Sequence, residues 1–251
     1  MEIVILTAIG VGASTVFGAV LGFIFGGLPH KVGDIILAFG AGVMLSASIL
    51  GLILPSLEYG GGSALIITAL GVILGGVIID LMDRLTPRLE GYIIKTEVDD
   101  PDEKRRRQRV LLFILAIAIH NIPEGLASGV AFGTGDLGGA LTVAVSIALQ
   151  NIPEGMVMIS PMLSVGISRT RAFLYAALTG LLEVLGALLG YFTVSISTAL
   201  LPLLLSLAGG CMLYVISKEM IPETHSHGNE RGASYALLIG FLSMLVFSEL
   251  I

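Results

Sequence analysis

Two segments of the sequence carry side chains that could bind a metal ion. They read His-Asn-Ile-Pro-Glu-Gly at residues 120–125 and Gln-Asn-Ile-Pro-Glu-Gly at residues 150–155. On a helix that turns about 100° per residue, the first, second and fifth residues of each segment lie within an arc of about 100°. Imidazole, carboxylate and amide oxygen atoms together suit a divalent first-row transition-metal ion. The two segments therefore predict that a metal ion binds between them.

Both segments lie inside apolar runs that are long enough to cross a bilayer, where a carboxylate is costly. Glu124 and Glu154 would repel each other when both are ionised, unless a dication or a proton lay between them. Pro123 and Pro153 each remove the amide that would bond the carbonyl four residues earlier, which frees that oxygen atom in mid-span. A proline and a hydrogen-bonded glutamate in one membrane helix could be structural, but that interpretation does not explain why the same five residues recur.

Two more residues deep in apolar runs could contribute. Glu183 is either a further ligand or a protonated, hydrogen-bonded structural acid. Met44 is either a packing residue or a thioether ligand. The residues alone leave both alternatives open.

A last group of candidates lies near the ends of apolar runs. Glu219, beside Lys218, is either a ligand on the exit path of the metal or half of an interfacial ion pair. His225 and His227 could collect metal on the side of the membrane where Glu219 lies, which the charge pattern described below makes cytoplasmic. A solvated loop accounts for both histidines as well. Asp34 also lies toward this side, where carboxylates at the ends of spans are ordinary.

The composition indicates a polytopic membrane protein. Of the 251 residues, 55% are hydrophobic and only 13% are charged, with a mean hydropathy of +0.97. Soluble domains carry about 25% charged residues. Cys211 is the only cysteine, so the sequence excludes an intramolecular disulfide and a multi-cysteine metal cluster. Nothing in the composition supports nucleic-acid binding.

Apolar runs of about 20 residues predict eight membrane-spanning helices in a single transmembrane domain covering residues 1–251. We expect the first run to be a retained span, because no basic region precedes it as in a cleaved signal peptide. A polar stretch at about 86–108 is expected to be a loop. The expected spans are Ile3–Leu28, Asp34–Leu57, Ala64–Leu85, Val110–Phe132, Gly138–Val165, Ala172–Ser195, Leu200–Met220 and Ala233–Ile251.

Charge placement is an independent test of this topology. Every lysine and arginine falls in or beside the connections after the first, third, fifth and seventh spans. Under the positive-inside rule those connections are cytoplasmic, so both termini lie outside. The fourth and fifth spans, which carry the two motifs, are then antiparallel neighbours. The residues are Lys31, Arg84, Arg88, Lys95, Lys104, Arg105, Arg106, Arg107, Arg109, Arg169, Arg171, Lys218 and Arg231.

The paired motifs, the eight spans and a Glu-Met-Ile-Pro-Glu-Thr-His stretch at 219–225 resemble the ZIP family of metal transporters. Gln150 and the compact length resemble its GufA-like branch. The resemblance covers essentially the whole chain. It implies a 3+2+3 helix arrangement with inverted repeats, a homodimer, and an elevator-like movement of one helix bundle against another.

The resemblance also implies a two-metal site between the fourth and fifth spans, with both motif glutamates bridging. Many members have histidine at the place of Gln150, which weakens an expectation of strict zinc selectivity. Asn151 stands where some relatives have an acid, which lowers the negative charge of the second position. One ion would be held by Met44, His120, Glu124, Gln150 and Glu154, and the other by Asn121, Glu124, Asn151, Glu154 and Glu183.

We therefore expect a transporter that moves Zn²⁺, with Fe²⁺, Mn²⁺ and Cd²⁺ as further substrates, into the cytoplasm. It would lie in the plasma (inner) membrane, with one or two ions bound as cargo. No Gly-rich ATP-binding motif is present, and we expect no enzymatic activity. The alternatives are a gated divalent-cation channel and an intramembrane metalloenzyme, although the zinc-protease pattern His-Glu-x-x-His is absent.

Overall fold

A computed structural model describes residues 1–25, 30–93 and 101–250. In these ranges, eight helices are long and apolar enough to cross a membrane, as the sequence predicts. Short 3₁₀ turns at Gly61–Ser63 and Thr198–Leu200 precede α3 and α7. The helices are α1 (Glu2–Ile24), α2 (His30–Ser46, Ala47–Ile53 and Leu54–Tyr59), α3 (Ala64–Ile93), α4 (Pro101–Phe132), α5 (Leu137–Ser164), α6 (Arg169–Ile196), α7 (Leu201–Val215, Ile216–Met220 and Ile221–Thr224) and α8 (Glu230–Leu250).

Glycines in the connections and a capping serine mark where several of these helices end and begin. Gly135, Gly166 and Gly228 have positive φ angles of 82°, 77° and 76° in three of the connections. That left-handed conformation is one that glycine adopts without a steric penalty. The Ser168 hydroxyl accepts the backbone N–H of Arg171 at 3.4 Å and so caps the start of α6.

The polar stretch at about 86–108 is more helical than we expected. Helix α3 continues to Ile93 and α4 already begins at Pro101, while residues 94–100 lie outside the described residues. Proline is well suited to the first turn of a helix, where its missing N–H leaves no bond unmade. An ion pair one turn apart, between Arg107 and Glu103 at 3.3 Å, supports the polar start of α4.

The eight helices form two groups of four. Helices α1, α4, α5 and α6 make one group, in which α1 packs on α5 and α6, and α4 packs on α6. Helices α2, α3, α7 and α8 make the other, in which α2 packs on α8 and α3 packs on α7. The groups meet where α2 contacts α5 and where α4 contacts α7. Both motif helices therefore belong to one group and face the other.

Close glycine contacts reveal an inverted repeat that relates α1–α3 to α6–α8 and α4 to α5. A Cβ added to Gly12 of α1 would overlap the carbonyl of Gly180 of α6, and the reverse is also true. A Cβ on Gly125 of α4 would meet the Glu183 carbonyl, and one on Gly155 of α5 would meet the Thr15 carbonyl. The second helix group repeats the pattern. An added Cβ on Gly42 of α2 would meet the Leu237 carbonyl of α8, just as one on Gly210 of α7 would meet the Val72 carbonyl of α3. In the reverse direction, Gly240 of α8 lies against the Phe39 carbonyl, just as Gly75 of α3 lies against the Leu207 carbonyl. The 3+2+3 arrangement is thus confirmed.

Helices α2 and α7 share a departure from α-helical geometry. Residues 47–53 of α2 and 216–220 of α7 are π-helical. Each segment ends shortly before a proline, Pro55 or Pro222, which cannot donate the next helical hydrogen bond. Segments of π-helix are rare and occur frequently at functional sites. Helices α4 and α5, by contrast, stay α-helical through Pro123 and Pro153.

Candidate metal site

A cavity of about 640 Å³ leads from one end of the bundle to the two motifs. His120, Glu124, Gln150 and Glu154 all line it, and Glu219 of α7 lines it from the other helix group. Its mouth lies beside the first turns of α2 and the connection between α7 and α8, where Asp34 and His227 line it. We call this the basic end because Lys31, Lys218 and Arg231 lie there. Hydrogen bonds join the start of α2 to the connection between α7 and α8, including Asn229 Nδ2 to the Lys31 carbonyl at 3.4 Å.

Apolar side chains fill the bundle on the other side of the motifs. Ala127 and Val130 of α4 pack with Val143 and Ile147 of α5, and each is at most 1% exposed. Leu52 and Leu205 from the second helix group join the same cluster. In the part of the chain that the structure describes, the motif side chains that line the cavity are therefore open toward the basic end and covered on the other side.

Gln150 links the two motif helices through its side-chain amide. Its Nε2 atom donates to Glu124 Oε2 at 2.7 Å and to Asn151 Oδ1 at 2.6 Å. All three residues are buried, with at most 2% exposure. Because a buried carboxylate without a partner is costly, these N–H groups stabilise Glu124 in a low-dielectric space.

The buried Glu183 and the partly buried Glu154 each receive an amide from a neighbouring helix as well. Asn151 Nδ2 donates to both carboxylate oxygens of Glu183 at 2.7 Å, and it lies 3.3 Å from the Val11 carbonyl. With its amide oriented so that both the oxygen and the nitrogen are satisfied, Asn121 donates to Glu154 Oε1 at 3.3 Å and to the Ile117 carbonyl of its own helix at 3.0 Å. Three carboxylates, on α4, α5 and α6, are therefore held together by three amides.

The eight expected metal ligands separate into two tiers. His120, Glu124, Gln150 and Glu154 reach the cavity. The other four lie behind this tier: Asn121, Asn151 and Glu183 where α1, α4, α5 and α6 meet, and Met44 in the apolar cluster. None of these four is more than 1% exposed. The cavity-lining tier is the part of the site that an ion can reach from the basic end.

The imidazole of His120 faces the second helix group. Its Nδ1 atom lies 3.5 Å from Glu219 Oε2 in the π-helical segment of α7. Lys218, the neighbour of Glu219, also lines the cavity, and its ammonium group lies 5.1 Å from the centre of the Tyr214 ring. The contact between His120 and Glu219 joins the two helix groups directly at the first metal motif.

Three of the four expected exit-path residues line the cavity, and one does not. Asp34, Glu219 and His227 are in its wall, with His227 Nδ1 3.0 Å from Asp34 Oδ1. His225 instead bonds the Ile221 carbonyl through Nδ1 at 2.8 Å and Ser234 through Nε2 at 3.1 Å. Both ring nitrogens of His225 are thus engaged in joining α7 to α8, so it lies away from the path.

In this conformation, hydrogen bonds within the site occupy the atoms that would bind a metal ion. Among the described residues, no three His, Cys, Asp or Glu side chains lie close enough together to hold a metal ion. The amide nitrogens of Gln150 and Asn121 occupy carboxylate oxygens that a cation would use. Rotation of either amide would turn its oxygen inward and release a carboxylate, so the same residues can serve a cation.

Two features of the site were not predicted from the sequence. The Val11 carbonyl of α1 faces Asn151, and a backbone atom leaves no signal in residue types. Helices α2 and α7 both carry a Gly-x-Met-Leu segment, at 42–45 and at 210–213. That recurrence could have shown that Met44 has a counterpart, Met212, in the second half of the chain.

Comparison with known proteins finds similarity along most of the chain. The family model described as ZIP Zinc transporter matches residues 93–248. The chain is 40% identical over 204 residues to the zinc transporter GufA of Myxococcus xanthus, covering 78% of each protein. It is 39% identical to the zinc transporter ZIPB of Bordetella bronchiseptica, over 93% of this chain and 76% of that one. Identity to the zinc transporter ZIP11 of Homo sapiens is 31%, over 92% of both.

Proposed function

Because the chain belongs to the ZIP zinc transporter family, we propose that it carries Zn²⁺ and related divalent metal ions across a membrane into the cytoplasm. It is an integral membrane protein of a metal-transport family, and the relatives are named as transporters, a non-enzymatic role. The observation that carries the proposal is the cavity that joins His120, Glu124, Gln150 and Glu154 to the basic end. A divalent ion bound there would neutralise the two glutamates.

The cargo binds first to the cavity-lining tier. His120 supplies an imidazole nitrogen, the two glutamates supply charge, and Gln150 supplies an amide oxygen after its side chain turns. A second ion, with both glutamates bridging, would use Asn121, Asn151 and Glu183. Fe²⁺, Mn²⁺ and Cd²⁺ are accepted as well, because a site with a single imidazole and several oxygen donors discriminates weakly among divalent ions.

The direction of transport follows from the charge pattern. The basic end is cytoplasmic by the positive-inside rule, which puts both termini outside the plasma (inner) membrane. A dication moving inward gains about 4.6 kcal/mol at 100 mV, negative inside, since each elementary charge gains about 2.3 kcal/mol. Glu219, Asp34 and His227 line the path that the ion takes to the cytoplasm.

Transport proceeds by sliding the motif helices along the second helix group. Gly51 of α2 faces Val143 of α5, whereas its repeat equivalent, Glu219 of α7, faces His120 of α4. The equivalent of Val143 on α4 is Phe113, seven residues before His120, which is about 10 Å along a helix. In the alternative state, α2 and α5 would pair as α7 and α4 do now, and α7 and α4 would pair as α2 and α5 do now. This exchange would move α4 and α5 by about 10 Å and open the site to the opposite end.

The family resemblance favours a homodimer.

The test is uptake of radiolabelled Zn²⁺ into proteoliposomes that contain the full chain. We expect saturable uptake by the wild type and loss of at least about a hundredfold when Glu124→Ala and Glu154→Ala are combined, since both charged ligands are removed. The matched control combines Glu58→Ala with Glu249→Ala, two exposed glutamates, and should transport normally. Unchanged saturable uptake by the motif double variant would contradict the assignment.

A further inference from the structure

Met212 of α7 is the repeat equivalent of Met44 of α2. The register follows from the matching contacts of Gly42 and Gly210, because each methionine lies two residues after its glycine. Both side chains are 1% exposed and belong to the same apolar cluster, on the far side of the cavity. Two thioethers are thus held at equivalent places in α2 and α7.

Met44 lies on the face of α2 along which the second motif would move. Gly40 on this face touches Gln150, with an added Cβ 3.6 Å from the Gln150 Cβ. Gly51, three turns further on, touches Val143 instead. Gly40 and Gly51 both touch α5, and Met44 lies between them, one α-helical turn after Gly40. A slide that carries Gln150 from Gly40 toward Gly51 must take it past Met44.

The same geometry applies to α7, which runs through the membrane in the opposite direction to its repeat equivalent α2. His120 now contacts Glu219, the equivalent of Gly51. After the exchange of pairings, His120 would face Ala208, the equivalent of Gly40. Met212 lies between these two positions, one α-helical turn after Ala208. The first motif therefore passes Met212 at the stage at which the second passes Met44.

We propose that Met212 is a second thioether ligand, which meets the cargo opposite Met44 when the motif helices are midway between their two end positions. The proposal rests on the transport function given above. Thioether sulfur is a soft donor that favours polarisable ions such as Cd²⁺ over Mn²⁺. Paired sulfurs at the midpoint would let the protein select among divalent ions during translocation, beyond the selection made by the oxygen-rich cavity.

The experiment measures inhibition of radiolabelled Zn²⁺ uptake by Cd²⁺ and by Mn²⁺ in proteoliposomes. Met212→Leu conserves volume and apolarity, so the helices should pack as before. We expect the preference for Cd²⁺ over Mn²⁺, taken as the ratio of their inhibition constants, to fall by roughly tenfold, the lower range for loss of a metal-site group. Met44→Leu should shift the ratio in the same direction.

Two further variants distinguish a sulfur ligand from a packing residue. Met244→Leu replaces a methionine of α8 that is 2% exposed, and it should leave the ratio unchanged. Met212→Cys retains a sulfur atom and should keep the preference for Cd²⁺, whereas Met212→Ser should lose it. A wild-type ratio in both Met212→Leu and Met212→Ser would overturn the inference while leaving the transport function intact. A wild type without saturable Zn²⁺ uptake would instead remove the proposed function, and this inference with it.

Discussion

Gln150 makes the two halves of the metal site chemically unequal. Its repeat equivalent on α4 is His120, so one motif offers an imidazole nitrogen and the other an amide. In the structure the Gln150 amide is an N–H donor to Glu124, at 2.7 Å, rather than an oxygen donor. Metal binding must therefore compete with this hydrogen bond, which lowers the affinity that an otherwise identical site could reach.

Gln150→His should raise the preference for Zn²⁺ over Mn²⁺. The change supplies a second imidazole, which suits Zn²⁺ better than Mn²⁺, and removes the amide that competes for Glu124. Competition between the two ions for uptake would measure the effect, which we expect to be about tenfold. Gln150→Asn, which keeps the amide, is the control. An unchanged ratio in the histidine variant would mean that residue 150 does not contact the cargo.

Asn151→Asp should destabilise the protein in the absence of metal. Its amide donates to Glu183, and an aspartate would place a second carboxylate against the first without a hydrogen bond between them. Loss of a hydrogen bond to a buried charged group costs about 1.5–3 kcal/mol. The midpoint of thermal unfolding, followed by size-exclusion chromatography after heating, should fall, and added Zn²⁺ should restore it. A midpoint equal to that of the wild type would show that Asn151 does not hold Glu183.

The residue types of the site could be predicted from the sequence, but their partners could not. Repetition of Asn-Ile-Pro-Glu-Gly inside apolar runs was enough to single out the motif side chains, which the structure brings together in the cavity wall and directly behind it. Which amide meets which glutamate depends on the rotation and depth of three helices. Those quantities are set by packing, and the hydropathy pattern does not contain them. His225 could not be separated from His227 for the same reason.

The helices themselves were predictable because uniformly apolar spans must satisfy their backbone internally. All eight occur close to the expected places, and the differences lie at polar ends such as the start of α4 at Pro101. The π-helical segments of α2 and α7 were not foreseen. Pro55 and Pro222 indicate a disturbed helix, but whether it kinks, breaks or widens depends on the neighbouring helices.

Gly125 of α4 should tolerate no larger side chain. A Cβ at this position would meet the Glu183 backbone of α6, so α4 and α6 would have to separate at the metal site. We expect Gly125→Val to abolish Zn²⁺ uptake and to reduce the free energy of unfolding by about 3 kcal/mol, the upper part of the range for overpacking. Gly10→Val on α1, where nothing lies within 4 Å of an added Cβ, is the matched control. Equal behaviour of the two variants would contradict the close packing of α4 on α6.

At the scale of the whole molecule, the two helix groups differ in how they meet. Contacts inside each group run through glycines that lie against backbone carbonyls, which leaves little freedom to slide. Contacts between the groups involve side chains: His120 lies against Glu219, and the Val143 side chain lies against Gly51. The sequence alone could not assign helices to groups, because every helix is apolar and the packing partners are distant in the chain.

A cross-link between the groups should stop transport. An added Cβ on Gly51 lies 3.7 Å from the Val143 Cβ, within the range of about 3.5–4.5 Å that a disulfide requires. In a Cys211→Ala background, oxidation of Gly51→Cys with Val143→Cys should block Zn²⁺ uptake, and a reductant should restore it. The control pair, Gly76→Cys with Tyr214→Cys at 4.0 Å, lies inside one group and should transport normally when oxidised. Full uptake through the cross-linked first pair would exclude the sliding movement.

The most direct test of the central claim is anomalous diffraction from crystals of the full chain soaked in Zn²⁺. We expect an anomalous peak between α4 and α5, within coordination distance of His120, Glu124 and Glu154. This peak should disappear from crystals of the Glu124→Ala, Glu154→Ala variant. Zinc found only at the mouth of the cavity, beside Asp34 and His227, with no peak between the motifs, would contradict it.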